Sequence, residues 1–223
     1  MDKATLKENY NRVLENVRKN DKSGKARLLL ATKMQTPEDI NYLVEQGACL
    51  IGENKVNELL EKYDSYDKRA ELHFIGTLQS NKVKYIIDKV SLIHSVDKYS
   101  LLLEIDKRAG KIGKVMDVLI EVNSGKEESK SGIFPEDVYD FYKKACELKN
   151  IRVRGLMTMA PRCQSREEYL KYFGLTKEIF DNIFGNDENA ILSMGMSESY
   201  EYALEAGATL VRVGSKIFGE RKY

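Results

Sequence analysis

Apolar and polar positions alternate in two registers along the chain. Short runs of consecutive apolar, often β-branched residues recur: "RLLLAT" (27–32), "CLIG" (49–52), "LHFIG" (72–76), "LIHSV" (92–96), "VMDVLIEV" (115–122), "IRVRGLMTM" (151–159), "AILSMG" (190–195) and "TLVRVG" (209–214). Runs of this length and type predict eight buried strands. Between them the apolar residues fall at helical spacing, which predicts helices over 37–46, 54–62, 80–88, 98–110, 135–148, 165–184 and 198–206. A further helix precedes the first strand, where Leu6, Tyr10, Val13, Leu14 and Val17 share one face. Helix starts are marked: Thr36-Pro37-Glu38-Asp39 supplies a capping hydroxyl, a first-turn proline and acid in the first turn. In "MSESYEYALEAG", Ser197 is the expected N-cap and Gly207 the C-cap.

Strands that alternate with helices form a parallel sheet, because each parallel crossover requires a connecting element. Eight units suit closure into a (β/α)8 TIM-type barrel with an extra N-terminal helix. An open doubly wound sheet is the alternative, but no G-x-G-x-x-G loop follows the first strand. The chain ends soon after the eighth strand, so the N-terminal helix is expected to cover that flank. No Pro/Gly/Ser-rich linker interrupts the pattern, and one domain over 1–223 is expected.

Composition narrows the function classes. Lys and Arg number 36 against 35 Asp and Glu, a net charge of +1, which favours neither nucleic acid nor an anionic membrane. No apolar stretch approaches the roughly 20 residues of a membrane span. The N-terminus lacks a signal-peptide core, and the three cysteines are widely spaced, so a reducing cytoplasm is expected. The two histidines match no metal-ligand spacing.

In a barrel of this kind, chemistry sits at the C-terminal ends of the strands. Lys33 ends strand one, Asn54 follows strand two, Ser193 lies on strand seven, and Arg212 lies inside strand eight ahead of Gly214-Ser215. Loops after strands seven and eight often bind phosphate, and glycine allows close backbone approach. A phosphate site opposite a strand-end lysine suits pyridoxal 5′-phosphate (PLP), whose aldehyde a lysine amine can capture as a Schiff base. Each residue also has a plainer reading. Lys33 could be a solvated loop lysine, Gly214-Ser215 a turn, Asn54 a helix cap, His73 a core histidine, and Arg212 half of a structural ion pair.

The blocks "ATKMQTPEDI", "IGENKVNELLEK", "LHFIGTLQSNKVKYI", "IHSVD", "EVNSGKEESKSGI", "RGLMTMAP" and "LSMGMSESYEYALEAGATLVRVGSKIFGER" resemble, in order, those of the pyridoxal phosphate homeostasis proteins. These are single-domain relatives of the N-terminal barrel of alanine racemase. The resemblance implies that Lys33 holds the cofactor covalently, that Ser193, Gly214 and Ser215 contact its phosphate, that Arg212 faces its pyridine nitrogen, and that Asn54 lies near its ring. Thr77 departs from the pattern, standing where members often have histidine. The implied function is intracellular PLP buffering or delivery with little turnover, apo PLP-dependent enzymes being candidate recipients and the protein a monomer or weak dimer. The alternative is an amino-acid racemase of narrow specificity, with His73, a mouth tyrosine or water as second base. A third reading makes the barrel an interaction module, with loop 124–131 or helix 165–184 as its surface.

Overall fold

A computed structural model describes residues 1–185 and 187–220. The strands are β1 (Arg27–Ala31), β2 (Leu50–Glu53), β3 (Glu71–Phe74), β4 (Leu92–Val96), β5 (Met116–Val122), β6 (Ile151–Thr158), β7 (Ile191–Ser193) and β8 (Leu210–Val213). They pair in sequence order, all parallel, and β8 closes on β1 through the register Leu29↔Arg212. The closed barrel is therefore the observed fold, and no open sheet edge remains among the described residues.

The helices are α1 (Lys3–Asn20), α2 (Pro37–Glu45), α3 (Val56–Lys62), α4 (Val83–Ile86), α5 (Tyr99–Lys111), α6 (Val138–Cys146), α7 (Arg166–Phe184), α8 (Tyr200–Glu205) and α9 (Ser215–Phe218). Among the described residues no helix is long and apolar enough to cross a membrane. The α1 helix buries Leu6, Tyr10, Val13 and Val17 and packs against α2, α8 and α9. Its Asn9 Nδ2 donates to Ile217 O at 3.2 Å, and Asn16 Nδ2 to Tyr200 Oη at 2.7 Å. It covers the flank that the short α9 leaves open, as the pattern predicts.

Three boundaries differ from expectation; in the first, the 3-10 turn Pro135–Asp137 precedes α6 within the expected helix 135–148. The segment 80–88 is a 3-10 turn, Ser80–Lys82, followed by one turn of α-helix. Ser197 does not cap α8. That helix begins after Ser199, whose hydroxyl accepts from Met196 N at 3.2 Å, while Ser197 Oγ accepts from Gly214 N at 3.2 Å. A sequence pattern for a cap cannot distinguish two serines two residues apart, and here one hydroxyl turns to Met196 N and the other to Gly214 N. The caps at Thr36 and Gly207 appear as expected, with Gly207 at φ 91° just past α8.

Strand periodicity of two decides what faces inward. Leu28 and Leu30 join the large apolar layer between sheet and helices, whereas Leu29 belongs to a small cluster with Leu50, Ile75 and Leu210. Leu92, Leu119 and Met157 form a second small cluster. These two clusters fill the barrel interior. By the same alternation His73, His94, Ser193 and Arg212 project inward, each between or beside inward apolar residues, and all four are buried. Asn54 continues the inward parity of Leu50, and Lys33 that of Leu29 and Ala31.

Candidate functional site

Two adjoining cavities open at the C-terminal ends of the strands. The larger, of about 370 Å³, is lined in part by Asn54, Arg212, Gly214, Ser215, Ser197 and Tyr169. The second, of about 290 Å³, is lined in part by Lys33, Asn54, Lys55, Thr77, Ser95 and Glu121. Asn54, Ile75 and Met159 line both. Of the six residues singled out from sequence, five border this cavity system.

Ser193 is the exception. It is fully buried in the barrel interior, where its hydroxyl accepts from Arg212 Nη1 at 2.6 Å and lies 3.1 Å from His94 Nδ1. It lines neither cavity, and the hydrogen bonds its hydroxyl makes are these two within the barrel. The hydroxyl beside Gly214 and Ser215 is that of Ser197, which the sequence pattern had assigned to a helix cap. Glu121 was also missed. The alternation Leu119, Glu121 on β5 is the signal that would have placed it inward.

The loop carrying Lys33 is braced from behind. Outward from β2, the fully buried Glu53 Oε1 accepts from Thr32 Oγ1 at 2.7 Å, Tyr66 Oη at 2.6 Å and Lys62 Nζ at 3.1 Å. Lys62 also donates to Thr32 O at 3.2 Å and to Glu58 at 2.5 Å. Glu58 in turn accepts from the backbone N–H of Met34, which sits at φ 63° in the left-handed region. A non-glycine residue is strained there unless its surroundings hold it. This one is held by an ion-pair network, and the half-buried Lys33 precedes it. Burial and the Glu53 carboxylate push the Tyr66 phenol well above its ordinary range.

A close backbone approach aligns the second wall. A Cβ on Gly76 would lie 2.0 Å from Asn54 O, so only glycine lets the end of β3 pass the chain at Asn54. Ser95 Oγ then donates to Gly76 O at 2.5 Å.

The electrostatics of the floor are set by two buried groups of opposite sign. Burial lowers the Arg212 guanidinium to about 10, partly offset by Glu121. It therefore stays charged at neutral pH and can only donate. Burial, then Asp97, pushes the Glu121 carboxyl up to about 7, against the pull of Arg212 and Lys98.

Comparison with known proteins decides the family. Residues 1–222 match the model described as alanine racemase, N-terminal domain. A pyridoxal phosphate homeostasis protein of Aquifex aeolicus is 46% identical over 224 residues, covering 97% of this chain and 98% of its own. The chain belongs to the pyridoxal phosphate homeostasis family within that alanine racemase domain class. A further member of the family, from Helicobacter pylori strain 26695, is 38% identical over 87% of each chain. Among solved structures, PipY of Synechococcus elongatus with PLP bound is 26% identical, with a TM-score of 0.82 over 96% of this chain and 100% of that one. Alanine racemase of Corynebacterium glutamicum is similar in fold, with a TM-score of 0.77 at 13% identity, and this chain spans 63% of it.

Proposed function

We propose that the protein binds PLP, holds it as a Schiff base on Lys33, and buffers or carries the cofactor inside the cell with little or no catalytic turnover. The observation that carries this reading is the pairing of Lys33 with Arg212 across one cavity system, on a chain whose Synechococcus relative was solved with PLP bound.

The residues present fit the group. Bound PLP supplies an aldehyde for an amine and a ring that withdraws electrons. Lys33 offers the amine. Ser197 would offer the phosphate a hydroxyl and Ser215 a hydroxyl and an N–H at the first turn of α9, while Gly214, whose own N–H goes to Ser197 Oγ, allows close approach there. Arg212 offers the ring nitrogen a donor-only cation. A guanidinium keeps its proton and has none to accept, so the nitrogen stays unprotonated and the ring remains a weak electron sink. That choice of partner disfavours transamination and β-elimination, whereas racemisation is limited by its need for an acid–base group on each face of the cofactor.

The racemase alternative requires a second acid–base group facing Lys33. His73, the candidate named from sequence, lies in the barrel interior at 2% exposure with Nδ1 3.0 Å from His94 Nε2, and borders neither cavity. Tyr169 lines the larger cavity, stacked on Phe173 and Tyr202. It is the residue to replace should turnover be found. The proposal includes a single domain over 1–223, a cytoplasmic location, a monomer or weak dimer, and transfer of PLP to apo-enzymes. Its test is a PLP titration followed by absorbance, with chiral analysis of a panel of L-amino acids. Stoichiometric binding without D-isomers above the free-PLP control is expected. Rapid conversion of a common amino acid would overturn the claim of little turnover.

A further inference from the structure

A continuous line of side chains crosses the barrel interior from the cavity floor to the opposite mouth. Arg212 Nη1 donates to Ser193 Oγ at 2.6 Å. Ser193 Oγ lies 3.1 Å from His94 Nδ1, His94 Nε2 lies 3.0 Å from His73 Nδ1, and His73 Nε2 lies 3.6 Å from Glu71 Oε2. Glu71 starts β3 and is half exposed beside Arg27. The three middle residues are buried.

The chemistry of the two ends selects one order for the protons between them. Arginine only donates, so Ser193 accepts from it and keeps an O–H to give His94 Nδ1, the order in which the His73 proton faces the Glu71 carboxylate. His94 Nδ1 is thereby an acceptor, and a neutral His94 must carry its proton on Nε2. That proton goes to His73 Nδ1, which puts the His73 proton on Nε2, facing the Glu71 carboxylate. An ionised carboxylate only accepts, so the line can run in one direction alone. Both imidazoles are neutral in this arrangement. Burial lowers the affinity of each for a second proton, with Arg27 opposing and Glu71 favouring charge on His73, and His73 and Arg212 both opposing it on His94.

We infer that Ser193, His94 and His73 form a one-way hydrogen-bond relay, oriented at its far end by the charge of Glu71, that fixes the Arg212 guanidinium toward the cofactor's pyridine nitrogen while withholding any proton from it. The inference rests on the PLP reading of the site. The Ser193 proton is committed to His94, and each proton behind it is committed one step further from the cavity. Arg212 Nη2 is tied in addition to Thr158 O at 3.2 Å, so the guanidinium plane is held at two points. These four are positioning residues and act on bound cofactor through Arg212.

Two measurements test the relay. The first is 15N NMR of the ligand-free protein with labelled histidine, from about pH 6 to pH 8. The chain has only two histidines, so both rings can be followed. Both are expected as neutral Nε2–H tautomers throughout. An Nδ1–H or charged ring at either position overturns the relay. The second uses Ser193→Ala, with Ser193→Thr restoring the hydroxyl. In Ser193→Ala the His94 tautomers should mix. Affinity for PLP and for phosphate-free pyridoxal should both fall about tenfold, the loss of one buried hydrogen bond to a charged group. Ser193→Thr should recover both. A loss confined to PLP would make Ser193 a phosphate contact and refute the assignment. Unchanged binding in Ser193→Ala would refute the positioning role alone. Failure of the unmodified protein to bind either compound would refute the PLP reading, while the spectra still judge the proton order.

Discussion

Replacing Lys62 with methionine removes one charge from the network behind Lys33. Lys62 is 12% exposed and Glu53 not at all. Methionine keeps the stem of the side chain but leaves the Glu53 carboxylate buried with only the Thr32 and Tyr66 hydroxyls as donors. Its second oxygen already has no partner. Breaking a buried pair by removing one member costs about 3–5 kcal/mol. The slight exposure of Lys62 lets water approach, which places this case near about 3 kcal/mol. In a chain of this size each kcal/mol moves the melting temperature by about 2–4 °C, so Lys62→Met should lower it by about 6–12 °C. Circular dichroism melts and urea titrations read both quantities. The double variant Glu53→Gln/Lys62→Met removes the stranded charge while its amide oxygen still accepts from Thr32 and Tyr66. It should recover about half of the loss. A melting shift under about 2 °C for Lys62→Met, or a double variant no better than the single one, would refute the assignment of Glu53 as a buried, lysine-compensated charge.

Other consequences are as direct. Gly76→Ala drives a Cβ into Asn54 O and should lower the melting temperature by more than about 6 °C, whereas Gly174→Ala, on α7 with open space at its Cβ, should raise stability by up to about 1 kcal/mol. Glu121 has a pKa raised from 4.5 to about 7, so between those values the folded state binds more protons than the unfolded state and stability falls as pH rises. Glu121→Gln should remove that slope and be more stable than the parent at about pH 8 by up to about 3 kcal/mol; a parent whose stability is flat over this window contradicts the placement of Glu121. Ser197→Ala should weaken PLP binding more than pyridoxal binding, in contrast to Ser193→Ala, and equal losses would remove Ser197 from the phosphate cradle.

The barrel was legible because burial on both faces writes each parallel strand as an apolar run, and because amphipathic helices separate those runs. The N-terminal helix was legible from one apolar face and from the short stretch left after β8. Lys33 was legible as a candidate from its place at the end of β1 together with the family resemblance, and Arg212 from its oddity among apolar neighbours. What escaped depends on closure of the sheet. His94 and Ser193 stand 99 positions apart in sequence and meet only because β4 and β7 face one another across the barrel. A lone polar residue in a strand does not announce its partner. Ser197 escaped for a local reason: two serines separated by one glutamate both fit a helix cap, and only the contact of one of them with Gly214 N, brought in from the end of β8, separates them. The segment 80–88 was misread in length because its apolar spacing suits a helix whose first turn is in fact 3-10.

The most direct test of the central claim is chemical trapping. Purified protein is mixed with PLP, reduced with borohydride, digested, and mapped by mass spectrometry beside Lys33→Ala. A single pyridoxyl adduct on Lys33, lost in the variant, is the predicted result. Adducts scattered over surface lysines and unchanged in Lys33→Ala would contradict the account: the barrel would stand, and Lys33 would not be its anchor.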